Sequence, residues 1–459
     1  MAKQLKIYPG IGIARLGNSV DDFFLAPEIP GVGPQELTAD DSVQPVQKFK
    51  DAAKAIRRQG VRFRIFEFED GNVTREITAE NGIEWRVELA NEKAAAGHFV
   101  SEEQPEDTEP LRNPGIAESQ LIIKPVFGPI SGLNLTVKAA PEGSFQGQPV
   151  YLGELRTDGK GRLVVLGGRG VSASIPPGLP LGDGSGGDND FANNRGWQDD
   201  VADGPISATV RIPGQPDQVL TNAAWVIVAP PDFAPFTNGV TTLYDVVAQA
   251  IGVAPRRPPS FRLDILPIVQ AASGLKWVSA LDLWTQISTD FAQLARTDSS
   301  AAQLRQDTLS LLLAIEGGVL HSYRFTDNQH EALNSWANGV FISDLNAAAA
   351  PETLTPDGLE RASLSQAVGG GFFPGIEAGI RMTSPAMYSA PFRITDQPFV
   401  FNGVPQKPHA GFITRTMACP WQSDFFEWRN RMQTSVWWPA QRPIDVFVDP
   451  GGDYQQALD

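Results

Sequence analysis

Residues 411–443, GFITRTMACPWQSDFFEWRNRMQTSVWWPAQRP, hold Trp421, Trp428, Trp437 and Trp438, four of the ten tryptophans, and the one cysteine, Cys419. An indole ring is costly to leave in water, and its N–H seeks a partner once buried. Such a cluster is either an aromatic core under a polar lid or a site that uses indole chemistry. Asp424 and Trp428 stand at i and i+4, so a helix places carboxylate and ring on one face. Read from the spacing alone, that pair is a helix-surface Asp over a core Trp. Cys419 ends an extended stretch before Pro420 and reads as a small buried hydrophobe. Trp437 and Trp438 are adjacent, so in extended chain they face opposite ways, one toward the core and one toward a cavity. His409 and Arg442 flank the motif and read as hydrogen-bonding groups for loop backbone.

The elements that must position these residues belong to a long acidic chain. At 459 residues it exceeds one ordinary core and implies two or three structural units. Its net charge of −16 repels phosphate backbones and anionic lipid, so neither nucleic acid nor a membrane surface is an expected partner. A single cysteine excludes a disulfide framework or a cysteine-rich metal site, and the four histidines never fall at metal-ligand spacing. The start, MAKQLKIYPGIGIARLG, lacks the apolar run and cleavage site of a signal peptide. The expected location is the cytoplasm, with non-classical export as the alternative.

Glycine and proline together make roughly 18% of the chain, above the usual share of about 12%, which favours loops over long helices. Residues 5–18 read as an extended start broken by Gly10, Gly12 and Gly17, not as a regular strand, with Arg15 an ion-pair partner. A helix is expected over 47–59, capped by Gly60. The alternating runs at 61–70, 73–78 and 83–91, separated by DG and NG, predict a meander of half-buried antiparallel strands. Further strands are expected at 120–124, 133–139, 149–156, 161–166, 206–211 and 218–229, and the acidic stretch 101–115 reads as surface loop. The glycine-rich stretch 167–205 ends in Asp199, Asp200 and Asp203, which read as a solvated Asp-rich turn; the oxygen spacing of a calcium loop is absent. Apolar spacing of three and four predicts helices in 241–252, 279–297, 299–318 and 330–349. A short helix is expected from Pro420. The class is α+β: a β-rich body of antiparallel sheets or a sandwich, with a helical layer from about 241 to 349. Three regions are expected, β-rich 1–240, helical 241–350, and 351–459 carrying the motif.

Seven blocks in order resemble the cysteine-tryptophylquinone amino-acid oxidases, the L-lysine ε-oxidase and glycine oxidase family. They are IGIARLGNS (11–19), GRLVVLGGRG (161–170), GWQDDVADGPISATV (196–210), AWVIVAPPDFAPF (224–236), GGGFFPGIEAG (369–379), MACPWQSDFFEW (417–428) and WWPAQRP (437–443). The resemblance implies a quinone made from the protein's own tryptophan, cross-linked to a cysteine. The quinone takes a substrate amine as a Schiff base and is reoxidised by molecular oxygen. It also implies a flavoprotein maturation partner and a homo-oligomer.

In the family the cross-linking cysteine follows the Asp of PWQxD by four residues, and that Asp is the base during hydroxylation. Carried over, the Asp is Asp424, and the position four later holds Trp428 instead of cysteine. The family's quinone-forming tryptophan lies well past WWPAQRP, whereas this chain has no tryptophan after Trp438 and 16 residues after Pro443. The family often has Tyr after Gly-Trp where this chain has Gln198. The resemblance therefore implies a divergent, C-terminally shortened member in which the usual cysteine tryptophylquinone is not expected. The catalytic candidates are Asp424 and Trp428. A tryptophan-derived quinone at Trp428 would sit among Trp421, Trp437, Trp438 and Cys419. Trp197, Gln198, Phe373 and His409 are the substrate-contact candidates, and no metal is expected. Cys419 replacing the missing thiol and a Trp–Trp cross-link both stay open. So do two functions: oxidative deamination of a small amine or amino acid, or a quinone-less relative that binds a ligand or protein partner through the old active-site cavity.

Overall fold

The computed structural model describes residues 3–38, 42–98, 110–181, 192–232, 239–277, 282–317, 325–346, 354–369, 380–401 and 403–423. Among these, residues within Met1–Pro231, Thr353–Leu364 and Phe373–Glu427 form one compact unit, and residues within Asp232–Glu352 and Ser365–Phe372 belong to a second.

The first unit is built on a mixed sheet whose spine is the strand Arg58–Glu69, buried over its first ten residues. Val61, Phe63 and Ile65 fill one face. The alternation suggested that the other face meets water, but Arg58, Arg62 and Arg64 are buried too. Carboxylates cover them: Arg62 pairs with Asp158 at 3.1 Å, and Arg64 with Glu28 at 2.8 Å and Glu76 at 3.0 Å. Burial works to raise Glu28, yet Arg64 and Arg62 outweigh it and hold that carboxyl at about 2. Outward from the spine on one side lie Leu163–Gly167, Gly153–Thr157 and Thr136–Lys138; on the other lie Ile11–Arg15, Gln218–Ala229, Ala202–Val210, Ile83–Val87 and Ile130–Ser131. All of these neighbours run antiparallel except Gln218–Ala229 against Ile11–Arg15, which run parallel.

Several local expectations change. Residues 5–18 do form strands, Lys3–Tyr8 and Ile11–Arg15, on either side of Pro9-Gly10. Gly12 is required inside its strand because a Cβ there would lie 2.4 Å from the Phe63 ring. Arg15 is buried and donates to the Pro230 carbonyl. The meander stops after its first hairpin: Asn72–Ile77 pairs with the spine, but Ile83–Val87 pairs with Ala202–Val210. The helix expected over 47–59 does not form. The Asp51 side chain accepts the Ala53 and Ala55 amides, a local bond set that competes with a helix, and Arg58 onward joins the sheet. The strand expected at 120–124 is instead a helical turn, Glu118–Leu121, followed by a bridge from Ile123 to Asn91.

The second unit is helical, as the apolar spacing predicts. Leu243–Ala250 and Asp327–Ala337 each begin with a capping box, Thr242 with Asp245 and Thr326 with Gln329. Ala302–Gly317 and Leu266–Gly274 add to it. The stretch 279–297 is not one helix. Asp282–Gln286 and Phe291–Leu294 are separate turns, the second capped by Asp290 accepting from Gln293. No described helix is long and apolar enough to cross a membrane.

Candidate functional site

Within the first unit, residues 409–423 lie along a seam of buried polar groups. The acids expected to be solvated are its foundation: Asp199, Asp200 and Asp203 are all buried. Asp203 sits on the strand Ala202–Val210, and its carboxylate accepts from Trp225 Nε1 at 2.9 Å, Ile413 N at 3.0 Å, Thr414 N at 2.8 Å and Thr414 Oγ1 at 2.7 Å. Its carbonyl accepts from Gly411, whose φ of +87° favours glycine. Burial pushes the Asp203 carboxyl up to about 6, against the pull of those donors.

Asp199 holds the next stretch. Its carboxylate accepts from Lys93 Nζ at 2.7 Å, Asn91 Nδ2 at 2.8 Å and Trp421 N at 2.8 Å. Lys93 also donates to the Ala418 carbonyl at 2.9 Å. Cys419 is framed on three sides: its N–H donates to Ala192 O, its carbonyl accepts from Asn194 Nδ2, and its thiol donates to Trp197 O at 3.2 Å. Burial, with the Asp199 charge adding to it, pushes that thiol up to about 12, so it stays protonated. Arg112 ties the seam together, donating to Asn193 Oδ1 and to the carbonyls of Lys93 and Arg415.

Asp200 faces the glycine-rich loop. One oxygen accepts the Arg169 and Val171 amides at 2.6 and 3.1 Å, and Gly168 is required because a Cβ would lie 2.4 Å from that oxygen. Among the described residues the other oxygen is buried without a partner, as are Trp197 Nε1, Gln198 Oε1 and Gln422 Oε1. Burial, with nearby Asp199 adding to it, pushes Asp200 up to about 7.

Of the sequence candidates, Trp197, Gln198, Cys419 and Trp421 come together here. Cys419 bonds Trp197, and Trp421 bonds Asp199, the residue after Gln198. His409 does more than bond loop backbone: besides Lys407 O it reaches Glu92 at 3.0 Å, a carboxylate shared with Arg415 at 2.8 Å, and its ring packs against Phe412. Helical backbone begins at Trp421, just after Pro420. Asp424, Trp428, Trp437, Trp438, Phe373 and Arg442 lie outside the described residues. Lys93, Asn91 and Asn194 were missed, since a lone polar residue in a loop carries no local sign of burial. The acids at 199, 200 and 203 did carry one, lying inside a block that leads straight into the apolar strand Ala202–Val210.

The β-rich body, joined to a helical unit and gripping the root of an aromatic motif, has the fold of an amino-acid oxidase. Residues 8–228 match the family model for the L-lysine epsilon oxidase N-terminal region, and residues 317–444 match that for the L-lysine epsilon oxidase C-terminal domain. The L-lysine 6-oxidase of Marinomonas mediterranea is 30% identical over 537 residues, covering 92% of this chain and 70% of that one. The crystal structure of the L-Lys epsilon-oxidase from Marinomonas mediterranea superposes with a TM-score of 0.71 at 24% identity, over 92% of this chain and 75% of that one. The structure of its Schiff base intermediate with L-Lys gives 0.70 at 25% identity over the same shares. The chain belongs to the L-lysine ε-oxidase family.

Proposed function

We propose that the chain is a quinoprotein-type oxidase that oxidatively deaminates a primary amine or amino acid. The amine and water would give a carbonyl product and ammonia, and oxygen would leave as hydrogen peroxide. The carrying observation is the seam itself: two buried acids and a buried lysine hold residues 413–421, the stretch that leads into PWQSD. A tryptophan-derived quinone would supply the electrophile and electron sink, and Trp428 is the residue we assign to it. Asp424, four residues earlier in the sequence, would hold the protons released as that ring is oxidised. Trp197 and Gln198 would contact the substrate from the seam, and Phe373 would join them. Family membership also supports a flavoprotein maturation partner and a homo-oligomer.

The second reading, a quinone-less binding protein, is favoured by Trp428 standing where the family has its cross-linking cysteine. The buried thiol of Cys419 is protonated and engaged with Trp197 O, so it is a poor partner for a cross-link. The 411–443 peptide from intact protein decides by its mass. The oxidase reading expects oxygen gained and hydrogen lost on a tryptophan, absorbance beyond ~300 nm from the extended ring (aromatic side chains absorb below it), and peroxide release with some amine. Asp424→Asn and Trp428→Phe should each abolish both the mass change and turnover. Unmodified mass and no peroxide with any amino acid or amine would leave the binding protein.

A further inference from the structure

The helix Pro356–Leu364 lies in sequence between two stretches of the second unit, yet it belongs to the first. Its Leu359 packs with Tyr8 and Phe66. Two of its side chains bond backbone amides of the first two strands: Glu360 accepts from Gly10 N at 2.8 Å, and Ser363 Oγ accepts from Ile13 N at 3.2 Å. The other Glu360 oxygen accepts from Arg393 Nη1 at 2.8 Å. The two side chains of that ion pair are 4% and 16% exposed. Gly10 is required at this point, because a Cβ there would lie 1.4 Å from Arg393 Nη1. The Gly10 carbonyl accepts the Trp225 amide at 2.8 Å, so Glu360 grips one side of a residue whose other side joins the strand Gln218–Ala229.

A glutamine would accept from Gly10 without burying a charge. A carboxylate in that place has one cation to offset its desolvation, and that cation is shared. Arg393 also donates to the Ile7 and Phe392 carbonyls, at 2.8 and 3.2 Å, and lies over the Tyr8 ring. Among the described residues, the charged and titratable groups around Glu360 are Arg393, Tyr8 and, on its own helix, Asp357. Asp357 has the same sign, and burial holds the Tyr8 hydroxyl above its ordinary value, so it stays neutral. Burial outweighs Arg393 and the Gly10 amide and pushes the Glu360 carboxyl up to about 7.

We propose that Glu360 is a pH-sensitive latch on this helix, which docks on the first two strands while the carboxyl is protonated and loosens as it ionises. The sign follows from linkage. Undocked and in water, Glu360 has its ordinary value of 4.5, below the docked one, so the docked helix binds the proton more tightly. That contribution to docking is complete below the undocked value and is lost as pH rises through about 7. The latch stands apart from the oxidase reading and does not rest on it.

The test is native hydrogen exchange of the full chain across the neutral range, corrected for the intrinsic rate at each pH. Protection of the 357–364 peptide is read against that of the 61–66 peptide of the spine strand. From about pH 5.5 to about pH 8.5 the ratio should fall about tenfold or more. E360Q still accepts from Gly10 but cannot ionise, so its ratio should be the same at both ends of the range. A wild-type ratio that stays level or rises with pH overturns the latch, and so does an E360Q ratio that keeps the wild-type fall. If E360Q does not fold, D357N removes the like charge from the same helix and leaves Glu360 in place. The midpoint of the fall should then move to lower pH, and an unmoved midpoint overturns the proposal.

Discussion

Asp203 shows how one residue can carry a junction. Its two oxygens take four donors from two stretches of the chain, Trp225 in one and Ile413 with Thr414 in the other. An amide in its place keeps the shape but turns an N–H₂ toward those donors. At pH 8 the carboxyl, with a value of about 6, is ionised, so charge-assisted bonds are lost. Asp203→Asn should therefore cost about 3 kcal/mol in urea unfolding at pH 8, given about 1.5–3 kcal/mol for a hydrogen bond to a charged group. A loss below about 1 kcal/mol, the worth of an ordinary neutral bond, would show that the junction is held elsewhere.

At the scale of elements, the segment 407–415 is pinned at its outer end by Glu92. That carboxylate faces His409 and Arg415; Glu118 lies 4.0 Å from Arg415, and Asp203 adds a weaker field at the histidine. The Glu92 hydrogen bond raises the His409 pKa above its ordinary 6.5, outweighing partial burial. A histidine raised on folding stabilises fully below its unfolded value and loses that contribution as pH climbs through the higher folded one. Melting temperature should thus drift down above pH ~6.5, the ordinary histidine value, and His409→Gln should remove that part of the slope. The side chain is 53% exposed, so the effect should stay within about 2 °C. An unchanged slope in the variant would show that His409 does not titrate against Glu92.

At the scale of the whole molecule, the charge decides which partners can approach. Much of the positive charge on the spine is spent internally, since Arg58, Arg62 and Arg64 are buried against acids. The net −16 is therefore not offset by an arginine face along that strand. Duplex DNA at about 50 mM salt, where phosphate contacts are strongest, should show no gel shift with micromolar protein. A shift that vanishes by about 200 mM salt would reveal a basic surface outside the described residues.

The sequence by itself determined the elements whose periodicity is local. The strand Gln218–Ala229 was read to the residue, and the helices Leu243–Ala250 and Ala302–Gly317 fell within their apolar repeats. It also determined the family, because seven ordered blocks need no geometry to be seen. Only the tertiary structure decided where polar residues go. Arg62 and Asp199 look solvated in any window of sequence, and burial becomes affordable only when a distant partner arrives: Glu28 for one, Lys93 and Trp421 for the other. The same reason undid the helix expected over 47–59, where Asp51 takes two local amides and the chain beyond is claimed by the sheet. Propensity and spacing act within a turn or two of chain. The acids that hold the motif's root act across more than 200 residues of sequence, as in Asp199 with Trp421 and Asp203 with Thr414.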